Sequence, residues 1–180
     1  MKHNDNSDSR TRAIQTRYEG YHFRSRLEAR YAVFFDAIGA DWDYELEGFD
    51  LGELGRYLPD FFIHSPYADG SRGFWVEIKP ESDADCWKPT EPEEKLELLA
   101  ELTGCECVLL CGVPDMDATK TSVFIPCGIC GRRWTRGTGV YAAVCDFIKA
   151  QANEVRLIDE ACESAKSARF EYGENPRAQR

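Results

Sequence analysis

Phe74-Trp75-Val76-Glu77-Ile78-Lys79, preceded by Tyr57-Leu58-Pro59-Asp60-Phe61-Phe62-Ile63, is the part of the sequence that decides the fold. Both segments are rich in aromatic and β-branched residues, the composition of strands. Ser65-Pro66-Tyr67-Ala68-Asp69-Gly70 between them is turn chemistry, so the two are expected to pair as a hairpin. Pro59 has no N–H to give to a ladder, which implies an edge or a strand that begins there. Glu77 and Lys79 are two residues apart and leave one face of their strand, while Val76 and Ile78 leave the other. Hairpin pairing brings Asp60 close to Glu77. Two carboxylates on neighbouring strands form a hard-oxygen site suited to Mg2+ or Mn2+, with an ammonium beside it.

Upstream, Leu27, Tyr31, Phe34, Phe35 and Ile38 fall at i, i+4, i+7, i+8 and i+11, so an amphipathic helix is expected from Phe23 to Ile38 with Gly39 as its stop. Glu28 lies near Phe35 on the helical wheel, at the edge of the apolar stripe, where a carboxylate can lean towards the same acids. Trp42-Asp43-Tyr44-Glu45-Leu46-Glu47 alternates as a half-buried strand, and a loop with Gly48, Gly52 and Gly55 follows. Downstream, Glu91 to Thr103 reads as a helix with Thr90 as N-cap, acids in its first turn and Gly104 as its stop. Cys107-Val108-Leu109-Leu110-Cys111 is then a buried strand, and strand, helix, strand predicts a right-handed crossover with a parallel pair. From Tyr141 to about Phe170 the Ala-rich sequence predicts one long helix or two shorter ones.

A metal held by such acids binds phosphate oxygens, acidifies water and stabilises charge on phosphorus, and a neighbouring lysine can orient or deprotonate the water. The Lys79 pKa could be lowered by burial or held up by the acids, and the sequence leaves both open. Taken singly, Glu77 and Lys79 could be a solvated pair on one strand and Pro59-Asp60 an ordinary turn start; their conjunction with Glu28 favours a site. Lys95, on the helix after the strand, could reach phosphate but reads as a surface charge and stays outside the catalytic set.

In order, spacing and context, Glu28 in an early helix, then Pro59-Asp60, then Glu77-Ile78-Lys79, resembles the PD-(D/E)XK nuclease superfamily. Phe23-Arg24-Ser25-Arg26-Leu27-Glu28-Ala29-Arg30, with Tyr57-Leu58-Pro59-Asp60-Phe61, also resembles a branch of small phage and bacterial endonucleases. The resemblance implies an α/β fold with a restriction-endonuclease-like core of helix, mixed central sheet and helix. It implies Asp60, Glu77 and the backbone carbonyl of Ile78 as metal ligands, Lys79 serving the water, and Glu28 completing the cluster. It makes DNA the expected substrate, although RNA fits the same chemistry. Double-strand cleavage would need two active sites and so a homodimer.

Cys127-Gly128-Ile129-Cys130-Gly131 has the form of a zinc knuckle. It supplies two ligands, and the others would come from Cys105, Cys107, Cys111, Cys145 or a histidine. Structural Zn2+, free thiols and a redox pair all stay open. Cys111 and Cys162 lie in apolar stretches and read as buried small hydrophobes. Arg132, Arg133, Trp134 and Arg136 form a basic patch around an indole, which suits either a nucleic-acid contact or a core tryptophan with solvated arginines.

The chain has 180 residues and a net charge of −10, an acidity that by itself opposes a nucleic-acid partner. Residues 31–115 hold 20 acidic and 5 basic side chains, whereas 1–30 hold 7 basic and 4 acidic, and 116–180 hold 10 and 8. An acidic centre with basic flanks fits a metal site approached by Arg10, Arg12, Arg24, Arg26 and Arg30, and it equally fits a plainly acidic protein. Membrane spans of about 20 apolar residues and a signal-peptide core are not found, which predicts a cytoplasmic protein without disulfides and with no membrane partner. The expected organisation is a flexible polar arm over 1–15, a nuclease core over 16–115, a cysteine knuckle insertion over 116–140 and a C-terminal helical appendage over 141–180. A metal-dependent endonuclease is the first expectation; a non-catalytic nucleic-acid- or protein-binding module on the same fold, with a zinc knuckle, is the second.

Overall fold

The structure is a computed structural model describing residues 13–65, 73–80, 91–115, 121–125, 133–136 and 154–170. It is an α/β fold with one mixed six-stranded sheet and, among the described residues, three α-helices and one short 3-10 turn. The strands are β1 (Thr16–Tyr18), β2 (Tyr21–Phe23), β3 (Trp42–Tyr44), β4 (Phe49–Asp50), β5 (Arg56–Tyr57), β6 (Phe61–Ile63), β7 (Phe74–Lys79), β8 (Cys107–Cys111), β9 (Thr121–Ile125) and β10 (Arg133–Arg136). The helices are α1 (Arg26–Ala37), α2 (Glu91–Thr103) and α3 (Glu154–Ser167).

The central sheet runs β10-β9-β8-β7-β6-β3; β7 and β8 are parallel and every other pair is antiparallel. The expected hairpin of β6 with β7 and the parallel pair joined through α2 are both present. Alternation along β7 divides two hydrophobic layers. Phe74, Val76 and Ile78 join Phe61, Ile63, Val108 and Leu110 beneath α1 and α3. Trp75 joins Cys107, Leu109 and Tyr57 beneath Leu96, Leu99 and Ala100 of α2. The sheet is therefore sandwiched between an α1–α3 layer and an α2 layer.

Several elements differ from the expected ones. The strand expected over Tyr57–Ile63 is two strands, because Leu58-Pro59-Asp60 leaves the ladder where proline offers no donor. The strand expected over Trp42–Glu47 stops at Tyr44, since Glu45 has φ +49. Phe23 ends β2 rather than opening α1, which Ser25 caps. The β1–β2 hairpin turns on Glu19 and Gly20, both at positive φ as tight two-residue hairpin turns require. Gly39 and Gly104 follow α1 and α2 with φ +72 and +68, as expected of helix stops.

β9 and β10 pair at one edge of the sheet with Arg133 opposite Ile125. Cys127, Cys130, Cys145 and Arg132 lie outside the described residues, as do Thr90, Arg10 and Arg12. Arg133 and Trp134 belong to β10. Among the described residues no helix is long and apolar enough to cross a membrane.

Candidate active site

Asp60 stands where β6 begins and is pinned from three directions. Its Oδ2 accepts the Ile78 N–H at 2.7 Å, its Oδ1 accepts Arg24 Nη2 at 2.6 Å, and its backbone carbonyl accepts the Glu45 N–H at 3.0 Å. Phe61 pairs with Val76, so the ladder would next have reached past Asp60 towards Ile78. Pro59 ends that ladder, and the Asp60 carboxylate takes the Ile78 N–H that the backbone would have served. The proline and the aspartate are thus one structural device.

Glu77 lies on the α2 face of β7, where its neighbours on the strand face are Trp75 and Lys79. Its Oε2 accepts the Tyr57 hydroxyl at 2.8 Å, and its Oε1 accepts Lys79 Nζ. Glu77 is buried, whereas the Lys79 side chain is 40% exposed, so the pair joins the interior to solvent. Burial, and then the charge of Glu77, raises the Tyr57 phenol far above its usual range and keeps it a hydrogen-bond donor.

Glu28 comes from α1, on the opposite layer. Ser25 Oγ accepts the Glu28 N–H at 3.1 Å, and Glu28 Oε1 accepts the Ser25 hydroxyl at 2.6 Å; its Oε2 accepts the Tyr44 hydroxyl at 2.6 Å and the Arg24 N–H at 3.1 Å. This is a Ser-x-x-Glu capping box in which the glutamate reaches one residue further back than usual. The cap anchors the Glu28 carboxylate at the N-terminal end of α1, close enough for its charge to act on Asp60.

The three acids meet electrostatically. Asp60 is 2% exposed, and its carboxyl is pushed from 3.8 up to about 7, first by burial and then by the charges of Glu77 and Glu28, against the opposing pull of the Ile78 N–H and Lys79. Among the described residues no three or more His, Cys, Asp and Glu side chains are gathered tightly enough to hold a metal ion as they stand. The acids are occupied by Arg24, Lys79, Tyr57, Tyr44 and Ser25 instead.

Of the residues expected to meet phosphate, Arg24 turns onto the acids, with Nε 2.7 Å from Glu45 and Nη2 on Asp60, while 52% of its side chain stays exposed. Arg26 and Arg30 lie on α1 with half-buried side chains. Cys105, Cys107, Cys111 and Cys162 are free thiols; burial raises Cys107, and burial pushes Cys162 up to about 12. Ser25, Tyr44 and Tyr57 hold the acids and were not anticipated, although Ser25-x-x-Glu28 is a readable capping signal. No protein-family model, no curated protein and no solved structure matches the chain, so the chemistry is inferred from the chain's own residues.

Proposed function

We propose that this protein is a metal-dependent endonuclease with a PD-(D/E)XK core, hydrolysing phosphodiester bonds, in DNA before RNA. The observation that carries this reading is the buried Asp60 carboxylate, held by the Ile78 N–H and Arg24 and acted on by the charges of Glu77 and Glu28, with Lys79 on its neighbour Glu77. Stored repulsion of that kind is what a divalent cation relieves, and an all-oxygen donor set suits Mg2+ or Mn2+. When bound, the cation supplies Lewis acidity towards the phosphate and acidifies water.

The chain's own residues do the rest. The Ile78 N–H aims one oxygen of Asp60, and Tyr57 aims one oxygen of Glu77, so neither ligand need be ordered at the moment of binding. The Ile78 carbonyl is the backbone ligand in this scheme. Lys79, whose side chain is partly exposed, is the group that meets the attacking water and the phosphoryl oxygens. Glu28, fixed by Ser25 and Tyr44, adds negative charge on the helix side of the cluster. The attacking water forms the new P–O bond, its proton passes to a base, and the ester oxygen departs.

One observation favours a second reading. Each acid already has protein partners, and Arg24 neutralises Asp60 within the fold, as in a module that binds nucleic acid or protein without cutting. Purified protein incubated with supercoiled plasmid, single-stranded DNA and RNA, in Mg2+, Mn2+ or EDTA, separates the two. Metal-dependent cleavage that is abolished by Lys79→Ala and by Glu77→Gln is expected. Inactivity of the wild-type protein on all three substrates would transfer the assignment to the binding module.

A further inference from the structure

The α2 face of the site contains a second lysine outside the catalytic set. Lys95 Nζ lies 5.9 Å from the centre of the Tyr57 ring, and Tyr57 is the residue whose hydroxyl holds Glu77. Lys95 also pairs with Glu91 Oε1 at 2.7 Å, one turn earlier on α2. The Lys95 side chain is only 21% exposed, with its ammonium over the Tyr57 ring, while the Glu91 side chain is 75% exposed. Glu91 feels Lys95 most strongly and also feels the charge of Lys79. Lys79, Glu77, Tyr57, Lys95 and Glu91 thus form a continuous chain of contacts and charges from the acids to the start of α2.

We propose that Lys95 is a positioning residue that binds a backbone phosphate next to the one being cleaved, and that Glu91 occupies Lys95 as an internal stand-in anion until the substrate displaces it. The proposal rests on the phosphodiester reading above. An ammonium held over a tyrosine ring on a largely covered side chain loses little freedom on binding, unlike a lysine waving in solvent. An exposed glutamate at the first turn of a helix is easily displaced, because its pairing is screened by water. Lys79 and Lys95 would then hold successive phosphates of one strand, with the acids beneath the first.

The test is steady-state cleavage of a fluorescent DNA duplex in Mg2+ across a salt series, with binding of the same duplex in EDTA followed by anisotropy. Lys95→Ala is expected to raise KM about fivefold, the size of one screened ion pair. It should also reduce the slope of log Kd against log salt by about 0.9, one phosphate contact. The loss should fall on KM rather than kcat, and Lys95→Arg should restore it. Glu91→Gln should act in the opposite direction and lower KM, a sign that a merely structural role for the pair does not produce. Unchanged KM and salt slope in Lys95→Ala, or a higher KM in Glu91→Gln, would overturn the assignment while leaving the nuclease standing. A wild-type protein that neither binds nor cuts the duplex would overturn both.

Discussion

A carboxylic acid in the surroundings of Asp60 keeps its proton longer than a free one. Burial and the charges of Glu77 and Glu28 raise it from 3.8 to about 7. Between those values the folded chain binds more protons than the unfolded chain, so stability falls as pH rises. The contribution of Asp60 is complete below about pH 4 and lost by the time pH passes about 7. Melting temperatures in EDTA should therefore show wild-type protein losing stability across that window relative to Asp60→Asn, which keeps an acceptor for the Ile78 N–H but does not titrate. Adding Mg2+ at pH 7.5 should raise the wild-type melting temperature and have less effect on the variant. Parallel pH profiles for the two proteins would show that Asp60 does not carry the repulsion.

At the scale of elements, the legible parts were those whose signal is local. The β7 pattern, the Leu27-to-Ile38 stripe of α1 and the acidic first turn of α2 each fall within a few residues, and each element is present. The same local signals placed Glu77 and Lys79 on one strand face, where they meet. What was not legible depends on partners distant in sequence. Tyr57 became a buried donor to Glu77 only through the packing of α2, and Arg24 turned onto Asp60 only because the β1–β2 hairpin delivers it there. The break at Pro59 was half legible, since proline announces a missing donor but not that the Asp60 carboxylate will accept the Ile78 N–H in place of a backbone carbonyl. The β6–β7 hairpin carries a further demand of this kind at Gly73, where a Cβ would collide with the backbone carbonyl of Ile63. That contact cannot be relieved by a rotamer change, so Gly73→Ala must part the strands. A destabilisation of about 1–3 kcal/mol is expected in urea unfolding, with the proposed cleavage lost beyond what stability explains because Glu77 lies on one of the strands displaced and Asp60 adjoins the other. Wild-type stability in the variant would mean that the close approach is dispensable.

At the scale of the whole molecule, the last described helix completes a core begun by the first. Ile158, Ala161, Cys162 and Ala165 of α3 are buried in one layer with Ala29, Val33 and Phe34 of α1, and α1 is the helix whose capped end presents Glu28. Small residues on α3 let the two helices approach closely, and Ile158 is the large side chain that fills the space between them. Its removal takes away buried methyl groups and leaves a cavity in the layer on which α1 rests. Ile158→Ala should cost about 2–5 kcal/mol, which for a domain of this size lowers the melting temperature by roughly 5–15 °C. Arg156→Ala, two residues away with its side chain 80% exposed in an ion pair with Glu160, should stay within about 0.5 kcal/mol of wild type. If α3 shares the core, circular dichroism and tryptophan fluorescence should report one coincident transition in Ile158→Ala, shifted as a whole. Two separated transitions, the earlier one confined to helix signal, would mean instead that α3 docks on a core that is stable without it.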